Sequence, residues 1–82
     1  MAKVKVYSTS ACPYCVMLEN WLNENMVEHD HYNVGEDREK AKEMIIKTGQ
    51  RGVPVIDIDG EVIVGFAKAR IEAVLKEKGL LS

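Results

Sequence analysis

Hydrophobic and polar positions change period several times along this chain, and each change marks an element. Lys3 to Tyr7 alternates, with Val4 and Val6 on one face, and predicts a first strand. Ser8 to Ala11 is a short loop. From Pro13 the period lengthens: Met17, Leu18, Trp21 and Leu22 recur at i, i+1, i+4 and i+5, which predicts an amphipathic helix ending near Asn25 with these four residues in the core. Val27 to Val34 is a weaker strand, interrupted by Glu28, His29 and Asp30. Glu36 to Lys47 reads as a second helix with Ala41, Met44 and Ile45 inward and Thr48-Gly49 as its stop. The apolar, β-branched run Val53 to Ile58 leads into Asp59-Gly60, a type I′ hairpin signal, and Glu61 to Val64 returns as its partner. Gly65-Phe66 breaks the pattern. Ala67 to Lys78 then predicts a third helix burying Ile71, Val74 and Leu75 and closed by Gly79.

The order β-α-β-α-β-β-α predicts an α/β architecture. Two parallel strands joined by a right-handed helical crossover, then a helix and an antiparallel hairpin, give a four-stranded mixed sheet flanked by three helices. With 82 residues there is room for one domain, 1–82. Hydrophobic residues make up 46% and charged residues 29%, a globular rather than disordered composition. The formal net charge of −2, without any basic run, excludes nucleic acid as a partner class. No apolar stretch is long enough for a leader or a membrane span, so a cytoplasmic protein with no membrane partner is expected. Nothing in the pattern requires a dimer, and a monomer is expected.

The two cysteines lie too close in sequence to staple a fold, which turns attention to their chemistry. Cys12-Pro13-Tyr14-Cys15 follows a strand and opens a helix. Pro13 suits the first helical position, where a backbone N–H would be unpaired anyway, and Cys12 falls at the N-cap. Residues three apart on a helix are neighbours at about 5–6 Å between Cβ atoms, compatible with a disulfide after small adjustment. At the N-cap, unpaired N–H groups and the positive end of the helix dipole stabilise an anionic sulfur. Cys15, one turn inside, should be less exposed. Cys12 is therefore the expected nucleophile and Cys15 the resolving thiol.

Two competing readings use the same residues. A structural zinc site needs about four ligands, and His29 and His31 lie downstream at a distance near zinc-finger spacing. His29-Asp30-His31 has a single intervening residue, however, where such a finger needs about three to five. Both histidines are expected to be solvent-facing strand residues, and no metal is expected. Two inert buried cysteines are the other alternative, against which Pro13 and the N-cap position argue.

On Cys12-Pro13-Tyr14-Cys15, Gly52-Val53-Pro54, Asp59-Gly60 and Gly65-Phe66, the chain resembles the glutaredoxins, within the thioredoxin-like fold, over essentially its whole length. The resemblance implies disulfide exchange through Cys12 and Cys15, with no bound cofactor and with glutathione as redox co-substrate. It implies a cis peptide at Pro54, opposite the cysteines. It also implies a substrate or glutathione surface formed by Pro13, Tyr14, Gln50, Arg51, Val53, Pro54, Gly65 and Phe66. The physical logic for Pro54 is separate: only X-Pro bonds make a cis peptide cheap, and such a turn aims the Val53 backbone at an extended substrate.

The chain departs from the family pattern in two places. Thr9 stands where a basic residue is common, three before the first cysteine. Ala67-Lys68 stands where an acidic residue commonly binds the amino end of glutathione, and Lys68 would repel that ammonium. The expected function is reduction of protein disulfides and glutathione mixed disulfides. The alternatives are a redoxin recharged by a thioredoxin-reductase-type flavoprotein, or a module holding a [2Fe–2S] cluster between two subunits.

Overall fold

The computed structural model describes residues 4–81. Its elements are β1 (Val4–Ser8), α1 (Pro13–Glu24), β2 (Asp30–Asn33), α2 (Arg38–Thr48), β3 (Val55–Ile58), β4 (Glu61–Val64) and α3 (Lys68–Glu77). They form the expected three helices and a four-stranded mixed sheet, in the order β2-β1-β3-β4. β1 runs parallel to β2, with Tyr7 beside Tyr32, and antiparallel to β3, with Tyr7 beside Val55; β3 and β4 form the hairpin. Lys3, the predicted start of β1, lies outside the described residues. Among those residues, no helix is long and apolar enough to cross a membrane.

Strand alternation divides the core between two faces. Val4, Val6, Ile56, Ile58 and Ile63 meet Leu18 and Leu22 of α1 and Ile71, Val74 and Leu75 of α3. On the other face Tyr7 and Val55 meet Met44 of α2, with Tyr32, Val34, Val53 and Val62 at the margin. Each fully buried aliphatic side chain contributes about 1.5–3 kcal/mol by leaving water.

The predicted stripe on α1 needs correction: Leu18 and Leu22 are fully buried, but Met17 is 50% exposed and Trp21 only flanks the core. β2 also starts later than Val27. Past the C-cap Asn25, Met26 turns to φ 54°, Met26 N–H donates to the Asn23 carbonyl and Val27 N–H to that of Leu22. This six-to-one closure of the helix spends Val27 on covering Leu22, so pairing with β1 begins only at Lys5 beside Asp30. α2 begins at Arg38 rather than Glu36, because the Asp37 side chain accepts the Lys40 N–H and caps it.

A polar network ties α2 to the sheet. Lys47 Nζ lies 2.6 Å from Asp57 Oδ2 and donates to the Tyr7 hydroxyl at 2.9 Å, while Tyr7 donates to Glu43 Oε1 at 2.7 Å. Asp57 is only 7% exposed, and its other oxygen accepts the Gly60 N–H of the hairpin turn. The Tyr7 hydroxyl, with help from Lys40 and against partial burial, lowers the pKa of Glu43 to about 2. A carboxyl depressed in the fold contributes stability above its unfolded value near 4.5, and that stability is lost as pH falls toward 2. Glu43→Gln should therefore flatten the loss of stability across that window by about 1 kcal/mol, after allowance for solvent screening. Urea unfolding at a series of pH values measures this, and parallel wild-type and variant curves would refute it.

Candidate active site

The strand register brings the candidate residues to one edge of the sheet. β1 leaves the sheet at Ser8, and β3 enters antiparallel beside it, so the carboxyl end of one adjoins the amino end of the other. β4 ends at Val64 beside Val55, returning Gly65-Phe66 to that edge. Gly65 adopts φ 85°, a region that favours glycine, and its N–H donates to the Pro54 carbonyl at 2.7 Å. The Val53-Pro54 peptide is cis, and Pro54 is buried directly before β3.

Cys12 is the N-cap of α1, with extended backbone (φ −108°, ψ 108°), and Pro13 opens the helix. The Cys12 carbonyl accepts the Val16 N–H, while its Sγ accepts the Cys15 N–H at 3.2 Å. A capping position normally held by a serine or aspartate oxygen is thus held by sulfur. No acidic residue occupies the first turn of α1, so nothing there offsets the positive end of the helix. Cys12 is partly accessible and Cys15 is 2% exposed. Burial, reinforced by the neighbouring Cys12 sulfur and opposed by the Thr9 backbone N–H, raises the Cys15 thiol well above the ordinary range.

Tyr14, 62% exposed, stands on the first turn of α1. Gln50 folds inward on its own loop: its amide accepts the Gly52 N–H and donates to the Gly52 carbonyl and Thr48 hydroxyl. These bonds occupy the group expected to face a substrate. Arg51 is exposed. Among the described residues no hydrogen bond joins Gln50 or Arg51 to Cys12.

His31 is an exposed strand residue, as expected, and His29 is neither exposed nor in the strand. His29 precedes β2, its side chain is only 9% exposed, and it approaches Glu19 Oε1 at 3.4 Å and the Val27 carbonyl at 3.0 Å. His31 is in the strand, faces Glu19 Oε2 at 3.6 Å and hydrogen bonds the buried Ser8 hydroxyl. Both are thereby tied to α1 through Glu19. Sequence reading missed Glu19 and Ser8 as their partners. The signal was a polar residue at the inward Ser8 position of β1, unexpected in a buried strand.

A partly accessible sulfur at a helix N-terminus and a buried protonated thiol one turn away differ sharply in reactivity. Brief iodoacetamide treatment of the reduced native protein near neutral pH should therefore give a single adduct on Cys12, with Cys15 alkylated only after unfolding. Peptide mapping by mass spectrometry reads this, and early labelling of Cys15 would refute the assignment.

The glutaredoxin family model matches residues 4–63. A glutaredoxin-like 8.6 kDa protein in the rubredoxin operon of Clostridium pasteurianum is 39% identical over 74 residues, covering 90% of this chain and 99% of that protein. Glutaredoxin 3 of Escherichia coli K12 is 34% identical over 65 residues, covering 79% of this chain and 78% of its own. The crystal structure of a glutaredoxin from Archaeoglobus fulgidus shares the fold with a TM-score of 0.84 at 18% identity, over 93% of this chain and 88% of that one. Sequence and fold agree: this chain belongs to the glutaredoxin family of thioredoxin-like thiol–disulfide oxidoreductases.

Proposed function

We propose that the protein reduces disulfides by dithiol exchange, acting on protein disulfides and on glutathione mixed disulfides. The observation that carries this reading is the asymmetry of the pair, Cys12 Sγ capping the helix at 3.2 Å from the Cys15 nitrogen and Cys15 buried behind it.

Cys12, as thiolate, attacks one sulfur of the substrate disulfide. A Cys12–substrate bond forms, the substrate S–S bond breaks, and the other sulfur leaves as a thiolate that takes up a proton. Cys15 then loses its proton and attacks Cys12 Sγ, forming the Cys12–Cys15 disulfide and expelling the second substrate thiol. Two electrons pass from the dithiol to the substrate. The mixed disulfide itself eases the second step: the Cys12 sulfur helps hold the Cys15 proton, and that contribution disappears once Cys12 is neutral and bonded to substrate. Tyr14, Val53, Pro54, Gly65 and Phe66 form the wall against which the substrate lies, with Val53 offering its backbone to an extended peptide. Arg51 adds positive charge near that edge.

Two molecules of glutathione, oxidised to glutathione disulfide, regenerate the dithiol in the first version of this reading. Ala67-Lys68, in place of an acidic contact, favours the second, in which a thioredoxin-reductase-type flavoprotein supplies the electrons. A well-formed charged hydrogen bond contributes about 1.5–3 kcal/mol, so its loss weakens glutathione about tenfold or more. Turnover of a small disulfide, coupled separately to glutathione reductase and thioredoxin reductase, distinguishes the two. Absence of turnover at millimolar glutathione would remove the first.

Cys12→Ser should abolish exchange in either assay, and retained activity would mean the nucleophile is misassigned. Cys15→Ser should keep reactions on glutathione mixed disulfides that glutathione resolves, while losing most reduction of protein disulfides. Equal loss on both substrate classes would refute the resolving role.

A further inference from the structure

Between α1 and the entrance of α3 lies an open hollow of about 460 Å³ lined by Met17, Asn20, Trp21, Glu24, Phe66 and Lys68. It adjoins the sulfur-bearing edge: Phe66 follows Gly65, which is bonded to Pro54, and Met17 lies one helical turn past Tyr14. Its apolar lining is left incompletely covered by the fold, with Met17 50% exposed and Trp21 and Phe66 only at the margin of the core.

The charges along the hollow have a direction. Lys68 opens α3 next to Phe66, the first turn of that helix carries no acidic residue, and its N-cap Ala67 makes no side-chain bond. Among the described residues no carboxylate pairs with Lys68 or with Arg70. Glu24 marks the opposite end, at the last residue of α1. A helix rises about 1.5 Å per residue, which puts Glu24 about 18 Å along the axis from Cys12. A tripeptide extends at most about 11 Å, so glutathione bound at Cys12 falls short of the far end. A longer polypeptide does not.

We propose that this hollow is a second recognition site for disulfide-bearing polypeptides, deepening the dithiol reading, on which it rests. The segment beside the substrate cysteine places an acidic group at Lys68, then a large apolar side chain over Met17, Trp21 and Phe66, then a basic group toward Glu24. The opposed charges set the direction of the bound segment, and the apolar contact supplies most of the affinity.

Two disulfide-cyclised peptides of identical composition test this, one continuing from its cystine as Glu-Leu-Lys and the other as Lys-Leu-Glu, each made in both chain directions. The rate of reduction by the pre-reduced full chain is measured for each. In at least one direction the Glu-proximal isomer should react about fivefold faster, the scale of two exposed ion pairs. Replacing its Leu by Ala should slow it about tenfold. Lys68→Glu, at an exposed position, should equalise or invert the isomer preference, and Met17→Ser should slow the Leu peptides more than the Ala peptides. Equal rates for the isomers in the wild type, or an unchanged preference in Lys68→Glu, would overturn the proposal while leaving dithiol reduction intact. If no peptide were reduced at all, the dithiol reading would fall first. Effects of the variants confined to a glutathione mixed disulfide would assign the hollow to glutathione. Effects confined to self-association in sedimentation would assign it to a second copy. Either result would overturn a polypeptide site.

Discussion

The antiparallel pairing of β1 with β3 is the constraint on which the rest of the site depends. These are the two central strands, and β3 is buried along its whole length. Their register, Tyr7 beside Val55, sets the exit of β1 next to the entry of β3. Everything chemical hangs from that junction. The chain leaving β1 reaches the N-cap of α1, and Cys12 is there; the chain entering β3 passes through Val53-Pro54. A slip of one residue would turn every side chain of β3 to the opposite face and place Ile56 and Ile58 against α2 rather than against α1 and α3.

The pairing is held from both faces by different physics. On one side aliphatic burial against α1 and α3 is non-directional and tolerant. On the other, Lys47, Asp57, Tyr7 and Glu43 form a connected set of hydrogen bonds that spans α2, β1 and β3. A buried carboxylate such as Asp57 is costly unless paired. Its pairing with Lys47 and the Gly60 N–H therefore favours one placement of α2 and one hairpin turn. Burial opposes the charge on Lys47, but its bonds to Asp57 and Tyr7 outweigh that and keep it cationic. The rigidity of this face matters at the site because β1, the strand that delivers Cys12, is shared by both.

Within the site, the same helix start gives two thiols unlike properties. The backbone N–H that would otherwise be unpaired is satisfied by Cys12 Sγ, while Cys15, one turn in, faces the core and is closed off from water. The fold thus separates an accessible sulfur from a protonated reserve with no other charged side chain needed. The first turns of α1 and α3 carry no acidic residue, and among the described residues no carboxylate pairs with Lys68 or Arg70.

Local chemistry was legible in the sequence because it depends on near neighbours. Element order, the Pro13 helix start, the N-cap position of Cys12, the Asp59-Gly60 turn and the stop at Gly79 follow from period, capping and turn preferences that act over a few residues. Pro54 was the intermediate case: the resemblance implied the cis peptide, while chain-local reasoning said only that an X-Pro bond makes one cheap. Met17 and Trp21 mark the limit of periodicity, since a helical stripe says which residues share a face but not how far the neighbouring element covers it. His29 was misjudged for a related reason: its partner Glu19 is set by how chain segments come to rest. The sequence by itself determined the elements and the reactive pair, because helix starts and turns are local. Only the tertiary structure decided which polar groups were already satisfied and which apolar surface stayed open, because both depend on packing between residues distant in the chain.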